Sequence, residues 1–594
     1  LNQLLMGNEA IALGAVKAGV NFVCGYPGTP STEVLETISK HNKGDVYVEW
    51  SVNEKAAMEA AAGASYAGAR VLMTCKQVGL NVAADPLMSL SYIGTNGGMV
   101  ILVADDPGPI SSQNEQDTRH FAEFSNLPVL DPSSPEEAFE MMQYAFELSE
   151  KTKLPVFFRP TTRICHACAS IDVGDDKTVH TPSGFKKDPK WVIFPALSYR
   201  NHILLEDKQT EISDLFSTLK YNEISGDGKI GIAAGGVSYS YVKEALNNSG
   251  VSAKIFKVGT PYPFPEKLAL EFLNSVDKVI VFEELDAVIE NALIYLCGKH
   301  HLSCEIFGKN TKNVPNAGEL SVEICEKSIS EFFGIAYDKN VKPSDIPLPI
   351  RPPVLCAGCP HRASFYAAKL ALKGQKAVFS GDIGCYTLGN AKPLDMVDTC
   401  LCMGAGITIA QGLHEIEKDT KNLAFIGDST FFASGITGIV NAVYNNHDIT
   451  VIILDNSTTA MTGHQPHPGT GVNLMRSPTE CIDIEAVLKG LGVKHISVQN
   501  PLDLNASINA IKEATEFNGV SAVIFKSPCI NLFKPTKKHI INEKCIGCKK
   551  CIREIGCPAI RPDGEKVSID ASLCNGCGLC SQICPINAIE EVSL

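Results

Sequence analysis

Residues 1–170 alternate short apolar runs with segments of helical periodicity. VNFVCGYPGTPSTE reads as a buried strand, a Gly/Pro turn and a helix start, and GGMVILVADD as a second buried strand. NEKAAMEAAAGASYAGA between them predicts an Ala-rich helix, which together is the α/β pattern of a parallel sheet. The polar stretch at 172–190 reads as a linker. Residues 191–335 repeat the theme in KIGIAAGGVSYSYVKEAL, AKIFKV and DKVIVFEE. Pro343, Pro347, Pro349, Pro352 and Pro353 then interrupt any helix or central strand and mark a boundary. A third α/β block, 354–535, carries buried strands in AVFSGD, NLAFIGD and ITVIILDN, and basic residues at 531–543 lead into a Cys-rich tail. The division expected is 1–175, 190–335, 350–535 and 540–594.

Composition narrows the class. A chain of 594 residues with 45% hydrophobic and 20% charged residues is globular and too long for one core. A formal charge of −14 disfavours nucleic acid or an anionic membrane as the main partner. No apolar stretch is long enough to cross a bilayer and no leader precedes the first strand, so the cytoplasm is expected. Twenty-two cysteines, eight of them in the last 50 residues of a chain this size, point to metal ligation rather than disulfides.

The tail holds two halves: Cys545, Cys548 and Cys551 followed by Cys557-Pro558, and Cys574, Cys577 and Cys580 followed by Cys584-Pro585. In the bacterial two-cluster ferredoxin arrangement the fourth Cys of each half ligates the other cluster. By that rule Cys545, Cys548, Cys551 and Cys584 hold one [4Fe–4S] cluster, and Cys574, Cys577, Cys580 and Cys557 hold the second. Five residues separate Cys551 from Cys557, so that loop is expected to bulge. A pair of zinc sites is the alternative for C-x2-C spacing, but the doubled triplet and the two Cys-Pro endings favour iron–sulfur.

In the third block Gly427-Asp428-Ser429 ends one strand and Asp455-Asn456 the next, with 28 residues from Asp428 to Asn456. Two strand ends bearing hard oxygen donors suit Mg²⁺ with a diphosphate, and the interval is that of the thiamine diphosphate motif; a plain strand-end turn is the alternative. Thiamine enzymes also use a carboxylate from a separate domain to act on the aminopyrimidine. Glu54, followed by Gly63 and Gly68, fits that pattern, whereas Glu59 would then be a solvated helix charge.

Nearly the whole chain resembles the 2-oxoacid:ferredoxin oxidoreductase family. The likeness rests on Tyr26-Pro27-Gly28-Thr29-Pro30-Ser31-Thr32-Glu33, the Glu54 helix, Cys356-Ala-Gly-Cys359-Pro-His361-Arg362, Gly381-Asp382-Ile-Gly384-Cys385, the loop TTAMTGHQPHPGTG at 458–471, and the fused tail. The resemblance implies a pyrimidine-binding domain, a transketolase C-terminal-like domain, a diphosphate-binding domain and a ferredoxin domain. It implies Thr29 near the substrate keto group, and Asp428, Asn456 and the Thr458 carbonyl around Mg²⁺. Gly384, Cys385, Gly404, Gly427 and Ser429 would approach the cofactor. His464 and His467 are open between acid/base, substrate-donor and structural roles, with His464 taken as the catalytic candidate. Relatives hold a third cluster near thiamine, and Cys356, Cys359, Cys385 and Cys529 match its ligands. Cys165 and Cys168 have no second pair, and Cys400 and Cys402 are expected to be packing residues.

The implied reaction is oxidative decarboxylation of a 2-oxoacid with coenzyme A, the electrons leaving through clusters to ferredoxin, in a heteromer (α2β2) with a smaller beta subunit. Pyruvate-using relatives clamp the substrate with an Arg that is missing from ADDPGPISSQNEQ, which suits a bulkier arylpyruvate such as indolepyruvate; Arg119 is a nearby substitute. A pyruvate or branched-chain oxidoreductase, a non-oxidative thiamine decarboxylase and a purely electron-carrying subunit are the rivals.

Overall fold

The computed structural model describes residues 2–174, 177–337 and 346–593. Pro343, read above as part of a boundary, lies outside them, as do two residues of the expected linker. The chain forms two compact units, 1–343 and 344–594.

In the first unit, six parallel strands lie in the order Tyr47–Trp50, Phe22–Gly25, Val71–Lys76, Met99–Ala104, Val156–Phe158, Val129–Leu130. Met99–Ala104 is buried along its whole length, as a strand covered by helices on both faces must be. The chain leaves Phe22–Gly25 for a neighbour on one side and returns on the other, so the sheet has a topological switch point between Phe22–Gly25 and Val71–Lys76. Open α/β sheets bind ligands beyond the carboxyl ends of the strands at such a point. Glu54 is set there by its helix cap: the Asn53 side chain accepts the Ala56 N–H (2.8 Å), which starts helix Glu54–Tyr66 on the glutamate itself.

A second, five-stranded sheet follows in the order Glu305–Phe307, Lys278–Phe282, Ile230–Gly235, Lys254–Val258, Asn222–Ser225, antiparallel only at its last member. It is preceded by the long helix Pro195–Phe216, which the sequence pattern did not reveal because most of its residues are exposed or half-buried. A buried ionic cluster joins the two sheets. Arg159 pairs with Asp105 (2.7 Å) and Asp131 (3.0 Å), and Arg119 with Asp117 (2.6 Å) and Glu283 (2.7 Å).

The second unit is built on a parallel sheet in the order Ala377–Ser380, Lys421–Gly427, Thr450–Asp455, Ser521–Lys526, His495–Gln499. The tail is not a tethered appendage. Ile555, Leu579, Ile583 and Ile589 share one hydrophobic core with Phe365, Phe425 and Phe525 of the sheet layer. Within the tail, Lys537–Ile541 pairs with Ile589–Ser593 and Ile560–Asp563 with Lys566–Ile569, both antiparallel. The expected bulge before Cys557 is absent. Helix Lys550–Ile555 simply runs one residue longer than its counterpart Leu579–Ile583 and ends at Gly556, whose φ of +55° lets the chain turn without a Cβ penalty.

Candidate functional site

On the first unit, Glu54 is buried at the switch point, and burial pushes its carboxyl up to about 7 against the weak opposing pull of its own backbone N–H and Lys76. Among the described residues its carboxyl meets no hydrogen-bond donor from another residue. A Cβ at Gly79 would collide with it, so the glycine keeps that space open. Thr29, half-buried on the turn after Phe22–Gly25, lends its carbonyl to the Ser111 hydroxyl (3.4 Å). Glu59 is exposed and paired with Lys55.

On the second unit, the carboxyl edge of the sheet gathers four motifs in adjacent strand ends: Gly381-Asp382, Gly427-Asp428, Asp455-Asn456 and Ser527-Pro528-Cys529. Asp428 is buried; its Oδ2 accepts the N–H groups of Asn456 (3.1 Å) and Ser457 (2.8 Å), and its Oδ1 that of Ser429 (2.8 Å). Asn456 Nδ2 faces His361 Nε2 at 3.2 Å. Burial lowers His361 to about 4, so the ring is neutral and its Nε2 is free to accept once the Thr458 N–H has taken Asn456 Oδ1 and left Nδ2 as the donor. Asn456 Oδ1 lies on the side of the Thr458 N–H (3.2 Å). Tyr386 packs so closely over Gly384 and Gly427 that a Cβ at either would strike its ring. Asp382 ties the turn before Cys385 to the next helix start, its Oδ1 accepting from Ile383 (2.6 Å) and Gly404 (2.9 Å). Among the described residues its Oδ2 is buried without a partner, and burial raises the carboxyl to about 7.

Of the two loop histidines, it is His467 that reaches the strand end. Its Nδ1 accepts the Gly469 N–H (3.1 Å) and its Nε2 stands 3.0 Å from Asp428 Oδ2, too oblique for a hydrogen bond. His464 faces Asn531 instead (3.2 Å).

The tail cysteines ring two cavities. One is lined by Cys545, Cys548, Cys551 and Cys584; the other by Cys557, Cys574, Cys577 and Cys580. Each triplet thus meets the fourth Cys of the opposite half. Ala357 and Gly358, between Cys356 and Cys359, also line the second cavity. Arg362 staples this junction: its buried guanidinium donates to the carbonyls of Ile555 (2.5 Å) and Gly556 (3.1 Å) and of Leu355 (2.6 Å) and Cys356 (3.4 Å). Asn575 adds a bond to Ala357 O (2.8 Å). Cys356 and Cys385 lie within electrostatic reach of one another and of Cys359 and Cys529; burial raises Cys359 to about 12 and Cys385 to about 11, and the neighbouring thiols add to both.

Two expectations change, and the unassigned Cys165 and Cys168 part company. Arg119 cannot clamp a substrate: it is 1% exposed, and its guanidinium is consumed by Asp117, Glu283 and the carbonyls of Glu284 and Asp286. Cys400 and Cys402 are exposed rather than packed. Cys165 is buried while Cys168 is exposed at a strand start.

Three family models match the chain: "Pyruvate flavodoxin/ferredoxin oxidoreductase, thiamine diP-bdg" over residues 13–213, "Thiamine pyrophosphate enzyme, C-terminal TPP binding domain" over 382–525, and "4Fe-4S binding domain" over 567–590. The indolepyruvate oxidoreductase subunit IorA of Archaeoglobus fulgidus is 41% identical, over 99% of this chain and 97% of that protein. The chain belongs to the IorA family. The Thermococcus kodakarensis IorA is 43% identical over the same shares. A solved 2-oxoglutarate:ferredoxin oxidoreductase from Magnetococcus marinus aligns at 19% identity and TM-score 0.45, over 56% of this chain and 65% of that one, too distant to inform the site. As an IorA-family chain it is an enzyme subunit of the 2-oxoacid:ferredoxin oxidoreductase class that binds thiamine diphosphate and iron–sulfur and works with a partner subunit. No helix among its described residues is long and apolar enough to cross a membrane.

Tyr386, His361, Arg362 and Lys76 were not singled out from sequence as site residues. His361 and Arg362 lie inside the CPHR motif, so their spacing was visible, but only the fold shows what they touch.

Proposed function

We propose that this chain is the thiamine-bearing alpha subunit of an enzyme that oxidatively decarboxylates aryl 2-oxoacids, indolepyruvate among them, with coenzyme A to arylacetyl-CoA and CO₂, passing the electrons to ferredoxin. The observation that carries the reading is the carboxyl edge of the second unit's sheet, where Asp428 and Asn456 share adjacent strand ends with Cys385 and Cys529. A non-oxidative decarboxylase has no use for thiols there, and an electron carrier has no use for Glu54.

When bound, thiamine diphosphate supplies the nucleophilic carbon that adds to the 2-oxoacid carbonyl and holds the electron pair left by CO₂. Glu54, protonated up to about pH 7 and meeting no donor from another described residue, suits a ring nitrogen with which it shares a proton. Asp428, Asn456 Oδ1 and the Thr458 carbonyl form an all-oxygen donor set for Mg²⁺, and the amide oxygen is turned away from His361. Gly384, Cys385, Gly404, Gly427 and Ser429 line the approach, with Tyr386 closing over two of the glycines. Thr29 offers its hydroxyl to the keto oxygen, and His464 is the acid/base group on the loop at 458–471.

Three [4Fe–4S] clusters follow: one on Cys356, Cys359, Cys385 and Cys529, one on Cys557, Cys574, Cys577 and Cys580, and one on Cys545, Cys548, Cys551 and Cys584. Thiols ringing a cavity suit a multi-iron cubane better than a single tetrahedral ion. A smaller beta subunit in an α2β2 heteromer and a cytoplasmic setting complete the reading. The test is an anaerobic assay of the heteromer with indolepyruvate, phenylpyruvate and pyruvate, coenzyme A and ferredoxin. Acceptor reduction with the aryl acids is expected; reduction with pyruvate alone would overturn the substrate class.

A further inference from the structure

A 2-oxoacid brings a carboxylate into the site, and Glu54 already places a carboxyl at the switch point. An anionic substrate needs a cation there, and the loop at 104–116 supplies none. Arg119 and Arg159 are buried in ion pairs, and Lys55 pairs with Glu59 and Asp85.

Lys76 remains. It is the last residue of strand Val71–Lys76, at the carboxyl end beside the switch point. Its aliphatic stem packs over the turn that carries Thr29, since a Cβ at Gly28 would stand 3.1 Å from Lys76 Cγ and Cδ. Lys76 is half-buried; its ammonium donates to Ser111 O (2.8 Å), and Ser111 in turn bonds the Thr29 carbonyl. Among the described residues Lys76 forms no ion pair. Asp106, the nearest acid on that loop, is occupied by the Ser111 N–H (2.8 Å), the Ser112 hydroxyl (2.7 Å) and the Thr162 hydroxyl (2.7 Å).

We propose that Lys76 is the anchor for the substrate carboxylate, holding an aryl 2-oxoacid with its keto group beside Thr29 and Glu54. This rests on the functional reading above. The charged groups facing Lys76 are Asp106 and Glu54; burial lowers the ammonium to about 8 and those two carboxyls oppose the shift. The anchor therefore loses its charge as pH rises through about 8, and substrate KM rises with it.

The test uses the cofactor-loaded heteromer with Lys76→Met and Lys76→Arg. A charged hydrogen bond of this kind is worth about 10- to 100-fold in binding. Lys76→Met should raise KM for indolepyruvate and phenylpyruvate by that factor, with thiamine content and the cluster EPR signals unchanged. Lys76→Arg should restore most of the affinity and flatten the rise of KM above pH 8. Calorimetric binding of 3-phenylpropionate, an unreactive carboxylate, should weaken in Lys76→Met while that of neutral 3-phenylpropionamide does not. Equal loss for both probes, or unchanged phenylpropionate binding, overturns the anchor. A wild-type heteromer that binds phenylpropionate through Lys76 yet reduces no acceptor with any 2-oxoacid overturns the functional reading instead.

Discussion

Replacing Glu54 by Gln should stabilise the thiamine-free protein at alkaline pH while abolishing its function. The unfolded chain releases the Glu54 proton near 4.5, whereas the folded chain holds it to about 7. Between those values the folded state carries the extra proton, so stability is full below 4.5 and is lost as pH rises through 7. At about 1.4 kcal/mol per tenfold change in proton affinity, the wild type forfeits about 3 kcal/mol by pH 8.5. Glutamine does not ionise and avoids that loss. It also gives up a favourable negative charge in the first helical turn, worth only about 0.5 kcal/mol, so the net effect remains stabilising. For a unit of 343 residues about 3 kcal/mol corresponds to a melting shift of about 4 °C. Thermal unfolding of thiamine-free wild type and Glu54→Gln at pH 5 and pH 8.5 reads this directly. The gap should open only at the higher pH. A variant that melts level with or below wild type at pH 8.5 would refute the buried, unpartnered carboxyl.

Arg119→Ala should cost about 3–5 kcal/mol by stranding Asp117 and Glu283, lowering the melting temperature with substrate KM unchanged; a raised KM at unchanged stability would return Arg119 to the substrate. Cys557→Ser should remove the cluster of the Cys574 triplet, lowering iron by about four atoms per chain, and leave the EPR signal of the other tail cluster; loss of the Cys545 triplet's signal instead would break the pairing. His361→Ala should weaken Mg²⁺-dependent thiamine retention by about 10- to 100-fold, measured by equilibrium dialysis, with His361→Gln milder because its carbonyl still accepts from Asn456.

Features set by short-range chemistry were legible in the sequence. The buried strand runs, the Ala-rich helix that carries Glu54 and the doubled cysteine triplets each depend on residues close in the chain, and the structure forms them where the pattern places them. Contacts across long sequence separations were not. Arg119 looks like an available cation until Glu283, 164 residues away, is seen to claim it. Lys76 looks like a strand-end lysine until its ammonium is found on Ser111, and Arg362 like part of a cysteine motif until its guanidinium reaches Ile555. The loop before Cys557 misled for a local reason: a helix absorbs extra residues without bulging when a left-handed glycine ends it.

The central claim is that electrons from the decarboxylated substrate enter this chain's own clusters. Mixing the thiamine- and cluster-loaded heteromer anaerobically with one equivalent of indolepyruvate and coenzyme A, with no external acceptor, tests it in a single turnover. The account predicts bleaching of the iron–sulfur absorbance and a reduced-cluster EPR signal with thiamine bound, and neither without it. Release of CO₂ and arylacetaldehyde with the clusters still oxidised would contradict it.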